Sequence, residues 1–207
     1  MSADIVHVVD DDESVRDSLG ALLVSAGYAV RLYASATAFL ADPPAQQGCV
    51  VTDVRMPEMD GLELQEEILR RGLGYQVIVM TGHADVPLAV RAMRSGAADF
   101  IEKPFDDEVM LESIRRAIEI GRQTRDRLAE ARAAQNLLAL LTPREHHVFD
   151  QLVAGRSNKV AAYELGISPR TIEIHRARIM DKMNARSLSD LVRAALAAAA
   201  STGGHAS

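Results

Sequence analysis

Five short apolar runs, each followed by a longer amphipathic stretch, occupy about the first 115 residues and leave few folds open. The runs cover residues 5–9, 29–33, 49–53, 76–81 and 98–102, and they are rich in Val and Ile, as buried strands are. Helical spacing follows over 14–26, 35–40, 61–71 and 86–95, and again from Asp106. Ser14 and Ser35 stand where helix N-caps belong, and Gly27 and Gly96 where helices should stop. Strands alternating with helices at this rhythm predict an α/β domain built on a doubly wound parallel sheet with right-handed crossovers.

In such a sheet, ligands bind outside the carboxyl ends of the strands. The residues at those ends are therefore informative. The first run ends in Asp10-Asp11, the third in Asp53, the fourth in Thr81, and the fifth leads into Lys103-Pro104. After Asp53 comes Val54-Arg55-Met56-Pro57-Glu58-Met59-Asp60-Gly61, a turn rich in breakers that opens the next helix. Acids, a hydroxyl and an ammonium in this order suit phosphoryl chemistry on a carboxylate. An aspartate and a phosphoryl group repel each other, so the site must cancel charge. A hard cation held by Asp10, Asp11 and Asp53 would do this, magnesium or manganese by its preference for oxygen ligands. Lys103 would pair with the phosphoryl oxygens and Thr81 would donate a hydroxyl to them. A blander reading of Asp10 to Glu13 is that they favour the positive end of the following helix. Asp12 in particular is expected to point away from the site.

The rest of the chain changes character. Residues 1–120 carry 10 Lys/Arg against 21 Asp/Glu, whereas residues 121–207 have a net charge of +5, so an acidic front half precedes a basic back half. That division suggests two tasks, the second on a polyanion. From Asp106 to about Leu138 no proline occurs and only Gly121 interrupts, which predicts one long helix running through a linker over 121–141. Arg125 and Arg132 break any heptad. Thr142-Pro143-Arg144-Glu145 is a capping box with Pro at the first helical position. Helices are expected at 143–154, 158–165, 169–183 and 187–199, and Gly166 with Ser168-Pro169 makes the second and third a helix-turn-helix. On a helical wheel Ile172, Ile179 and Met183 share the buried face. The opposite arc carries Arg170, Glu173, Ile174, Ala177, Arg178 and Asp181, candidates for base edges in a major groove. Thr171, His175 and Lys182, with Asn158 and Lys159 from the preceding helix, are candidates for phosphate contacts. The tail over 201–207 reads as disordered.

Taken together, the strand-end residues and the stretches 156–159, 165–176 and 179–183 resemble a two-component response regulator of the FixJ type, a receiver domain followed by a LuxR/NarL-type helix-turn-helix domain. The resemblance covers nearly the whole chain and divides it into a receiver (1–120), a helical linker (121–141), a DNA-binding domain (142–200) and the tail. It implies a flavodoxin-like five-stranded sheet and then an all-α four-helix domain. Asp53 becomes the phosphoacceptor, the backbone carbonyl of Arg55 a metal ligand, and the Lys103–Pro104 bond cis. Phe100 becomes a switch residue, where the commoner residue is Tyr. The implied partners are a sensor histidine kinase, a second copy of the chain on phosphorylation, double-stranded promoter DNA with two half-sites, and RNA polymerase. The resemblance also implies a regulator whose own chemistry goes no further than self-catalysed phosphotransfer and autodephosphorylation.

Two rivals stand beside this reading. One is a constitutive DNA-binding protein with an inert receiver. The other is an Asp-nucleophile phosphohydrolase of the haloacid dehalogenase kind, but that chemistry wants a second Asp where Arg55 stands. A single cysteine, Cys49, and the lack of a long apolar run or leader point to a cytoplasmic protein without a membrane partner.

Overall fold

The computed structural model describes residues 4–41, 43, 48–83 and 86–200, the last of these by its backbone only. It forms two compact units, Met1–Gln123 and Thr124–Ser207. The tail expected to be disordered lies outside the described residues.

The first unit alternates strand and helix throughout. Its elements are β1 (Ile5–Val9), α1 (Glu13–Ser25), β2 (Ala29–Tyr33), α2 (Ala36–Ala41), β3 (Cys49–Asp53), α3 (Gly61–Arg70), β4 (Gln76–Thr81), α4 (Val86–Arg94) and β5 (Asp99–Glu102). All pairings are parallel and the strand order is β2-β1-β3-β4-β5. This is the flavodoxin-like arrangement of the doubly wound fold. β1 and β3 are buried along their whole length, and β2 at the edge is half exposed. Because side chains alternate across a strand, successive residues feed opposite cores. Val50, Val77 and Val79 pack with Phe39, Leu64 and Ile68 on one face. Val51, Ile78 and Met80 pack with Leu19, Leu23, Met110 and Ile114 on the other. Each such fully buried side chain contributes about 2 kcal/mol.

The cap of α1 differs from expectation. Asp12, not Ser14, is the N-cap, and its carboxylate accepts hydrogen bonds from the backbone N–H groups of Ser14 (2.8 Å) and Val15 (3.4 Å). A carboxylate satisfies those donors and also meets the positive end of the helix dipole. At Ser35 the expectation holds, because its hydroxyl accepts from the N–H of Ala38.

α5 (Asp107–Leu138) is a single helix of 32 residues that crosses the division between the units, with Gly121 buried inside it. The second unit continues with α6 (Pro143–Val153), α7 (Asn158–Leu165), α8 (Pro169–Lys182) and α9 (Leu188–Ala200). Its core gathers Leu141, Val148, Phe149, Leu152, Ile172, Ile179 and Leu191. α6 opens with the Thr142–Glu145 capping box and Pro143 in its first turn. Gly166 ends α7 in the left-handed region (φ 64°, ψ 35°), a conformation that glycine adopts without a steric penalty. Among the described residues no helix is long and apolar enough to cross a membrane.

Candidate phosphoacceptor site and nucleic-acid surface

The parallel order brings the carboxyl ends of β1, β3, β4 and β5 to one edge of the first unit. Asp10, just past β1, is almost wholly buried, and Asp53 is the last residue of β3. Lys103, just past β5, places its ammonium between them, 2.8 Å from Asp10 Oδ2 and 2.6 Å from Asp53 Oδ1. Burial works against the charge on Lys103, but hydrogen bonds to both carboxylates outweigh it and raise the ammonium's pKa. The remaining oxygens are also engaged. Asp10 Oδ1 accepts from the N–H of Asp12 (2.9 Å) and Asp53 Oδ2 from the N–H of Arg55 (2.6 Å).

Two further contacts hold this frame. The N–H of Gly61 donates to the carbonyl of Val54, bringing the start of α3 under the end of β3. A Cβ at Gly61 would lie 2.1 Å from the carbonyl oxygen of Asp53, so only glycine permits the approach. Arg16, on the first turns of α1, donates from Nη1 to the carbonyl of Asp10 at 2.8 Å.

Thr81 is buried at the end of β4, where its hydroxyl makes hydrogen bonds with the backbone O (3.1 Å) and N–H (3.2 Å) of His83. Phe100 lies half buried on β5 against the same core as Val79. The Lys103–Pro104 peptide is cis.

In the second unit, α8 buries Ile172 and Ile179. Arg170, Glu173, Ile174, Ala177 and Arg178 are all exposed, which makes a continuous outward arc on one helix. Lys159, on α7, is exposed as well.

A model of the response regulator receiver domain matches residues 6–150, and a model of the luxR family of bacterial regulatory proteins matches residues 139–195. The chain belongs to the FixJ-like response regulators. It is 54% identical over 198 residues to the transcriptional regulatory protein FixJ of Azorhizobium caulinodans, covering 93% of this chain and 92% of that one. Among solved structures it resembles the response regulator StyR, with TM-score 0.83, 39% identity and coverage of 94% and 99%. It also resembles full-length FixJ from B. japonicum, with TM-score 0.60, 47% identity and coverage of 97% and 99%. The chain is thus a transcription regulator that joins a receiver to a LuxR-type DNA-binding domain.

Within this response regulator, the structure brings Asp10, Asp53 and Lys103 together and leaves Asp11 exposed beside them. Among the described residues no three His, Cys, Asp or Glu side chains are gathered as a metal ion would require. The donor chemistry nevertheless fits a hard cation, because two carboxylates already converge on one positive charge and Asp11 is adjacent in the chain. Arg16 was not singled out from the sequence, and Gly61 was read only as part of the turn that opens the next helix. Their signals were an Arg six residues after Asp10 and a Gly at the first position of α3.

One candidate DNA contact has partners inside its own domain. Lys182 donates to Glu145 Oε2 at 2.7 Å and to the carbonyl of Leu140 at 3.1 Å. The wheel placed Lys182 on a flank but could not show that a buried Glu145 would meet it. Thr171, His175 and Asn158 are half buried, and the Thr171 hydroxyl pairs with Ser168. Nδ1 of His175 is enclosed.

Proposed function

We propose that this response regulator receives a phosphoryl group on Asp53 from the phosphohistidine of a sensor kinase and thereby changes its binding to promoter DNA. One observation carries the reading: the Lys103 ammonium holds the carboxylates of Asp10 and Asp53 at a single point on the sheet edge. In the transfer a carboxylate oxygen of Asp53 forms the new P–O bond as the P–N bond to histidine breaks, and the departing imidazole keeps the nitrogen electron pair. The product is an acyl phosphate. Two carboxylates against one ammonium leave the site net negative, the wrong sign for an incoming phosphoryl group. Asp10, Asp11, Asp53 and the backbone carbonyl of Arg55 would hold magnesium or manganese, which supplies the missing positive charge when bound.

Lys103 then exchanges a carboxylate partner for a phosphoryl oxygen. Thr81 exchanges its hydrogen bonds with His83 for one to the phosphoryl group, and Phe100 moves into the space this opens. The receiver promotes this step and the later hydrolysis on itself and turns over no separate substrate. Two phosphorylated copies pair, and the arc from Arg170 to Arg178 reads base edges in two half-sites while Lys159 and its neighbours meet phosphates. Moving a two-state balance fully across takes about 5.5 kcal/mol, so graded activation is expected. We place the protein in the cytoplasm, where kinase output and DNA are both accessible.

The test is labelling with radioactive acetyl phosphate and magnesium. The wild-type chain incorporates phosphate and Asp53→Asn incorporates none, while keeping basal DNA binding. Label retained by Asp53→Asn would move the phosphoacceptor elsewhere.

A further inference from the structure

Adjacent residues on the first turn of α6 reach the turn of the helix-turn-helix and the far end of α8. Arg144 donates from Nη2 to the carbonyl of Leu165 at 2.7 Å, at the last residue of α7 before the Gly166 turn. Glu145 accepts the ammonium of Lys182, the last residue of α8, at 2.7 Å. The carboxylate oxygen that takes Lys182 also accepts the N–H of Thr142 at 2.8 Å, so the ion pair is joined to the capping box. Lys182 reaches in addition the carbonyl of Leu140, in the turn between α5 and α6. Glu145 is buried, and its carboxyl pKa is lowered to about 2 by the Lys182 hydrogen bond and then by the Thr142 N–H.

We infer that Arg144, Glu145 and Lys182 form a clasp that sets the direction of α8, and that Lys182 is a positioning residue for base reading rather than a phosphate contact. The inference rests on the DNA-binding reading above. A helix bearing base-reading side chains on one arc needs both its start and its end fixed, because rotation about its axis moves every one of those side chains relative to the groove. The apolar stripe of Ile172 and Ile179 supplies burial, but packing of this kind tolerates small rotations. Directional hydrogen bonds at the turn that leads into α8 and at its far end tolerate them far less. The three residues come from two elements of one unit, and both ties begin at consecutive positions of the chain. The start of α6 is therefore the common reference for the turn and for the far end of α8.

A positioning role and a phosphate contact leave different marks. Losing a phosphate contact weakens binding to every sequence and lowers the salt slope by about one unit. Losing alignment spares the salt slope and removes preference among sequences. The experiment takes the full chain treated with acetyl phosphate and magnesium, enriches duplexes from a random-sequence library on the wild type, and compares an enriched duplex with bulk genomic DNA. For Lys182→Met the preference for the enriched duplex falls about tenfold, the scale of one lost base contact, with the salt slope unchanged. Lys182→Arg retains most of the preference, because its guanidinium can serve both acceptors. Arg144→Met acts on an exposed side chain that leaves the core intact, and it reproduces the loss of preference if Lys182→Met fails to fold.

A salt slope lower by about one unit with preference retained would overturn the inference and restore Lys182 to the phosphate contacts. Preference retained in both Lys182→Met and Arg144→Met would also overturn it. A wild-type chain that enriches no duplex would remove the DNA-binding reading itself, and the clasp with it. A wild-type chain that does enrich duplexes confines any failure to the clasp.

Discussion

The two units solve placement in opposite ways. In the receiver, groups far apart in the chain meet because every parallel strand ends at the same edge, so Asp10, Asp53 and Lys103 converge without being neighbours. In the helical unit the proposed reading surface comes from one contiguous segment, and a long-range ion pair between Glu145 and Lys182 lies behind it. The receiver site is therefore buried and polar, and its accuracy depends on backbone close approach. The proposed DNA-facing surface is exposed, and its accuracy depends on what anchors the helix from behind. Perturbing backbone approach should hurt the first unit more, and perturbing a single exposed charge should barely touch the stability of the second.

The largest contrast is between two glycines. Gly61→Ala places a methyl 2.1 Å from the carbonyl oxygen of Asp53, and backbone cannot rotate out of the way as a side chain can. It should destabilise the receiver by about 3 kcal/mol and reduce acetyl phosphate labelling. Gly166→Ala meets nothing within 4 Å and is penalised only by its left-handed φ of +64°. It should cost the helical unit about 1 kcal/mol. Hydrogen exchange read by mass spectrometry follows the two units separately in one chain. Equal losses would mean that backbone approach at β3 is no more demanding than a helix turn, and the contrast would fail.

A smaller effect is expected from Lys103→Met. Removing the ammonium leaves Asp10 and Asp53 facing each other, and breaking a buried pair from one side is strongly destabilising. The side chain of Lys103 is 22% exposed, so solvent screens part of this, and a loss of about 2 kcal/mol is expected at neutral pH. Magnesium should recover part of it in urea unfolding of the variant, since a dication can take up the same two carboxylates. Recovery by magnesium would sharpen the view of this edge as a place where one cation substitutes for another. Absence of any loss would show that Lys103 is incidental to how the site is held.

What could be read beforehand follows the same division. Five apolar runs and the polar residue closing each were enough to anticipate the sheet and the meeting of Asp10, Asp53, Thr81 and Lys103 at one edge, because strand ends in a parallel sheet have nowhere else to go. The long α5 was legible because it lacks proline and its one glycine is tolerated inside a helix. The cap of α1 was misread by two residues, since Asp12 and Ser14 are both good caps and the choice turns on a local geometry that sequence does not carry. Arg16 went unnoticed because its target is a backbone carbonyl, which leaves no mark in a sequence. The tie of Lys182 to Glu145 was not legible because a helical wheel describes one helix at a time, and the partner lies 37 residues earlier.

Lys159→Ala carries the smallest effect and separates charge from position most cleanly. Lys159 and Lys182 are both lysines of the helical unit, one exposed on α7 and one tied to Glu145. Charge alone would make them equivalent on a polyanion. If exposure decides, Lys159→Ala lowers the salt slope of binding by about one unit for enriched and bulk DNA alike and leaves sequence preference intact. Its effect on folding should stay within about 0.5 kcal/mol, as for other surface changes away from caps and buried pairs. The check is a fluorescence anisotropy titration at several salt concentrations beside a urea melt of the same preparation. An unchanged slope would mean that the start of α7 does not lie along the phosphates. The outward arc of α8 would then have to bind without support from the preceding helix, and exposure in this unit would no longer be a guide to contact.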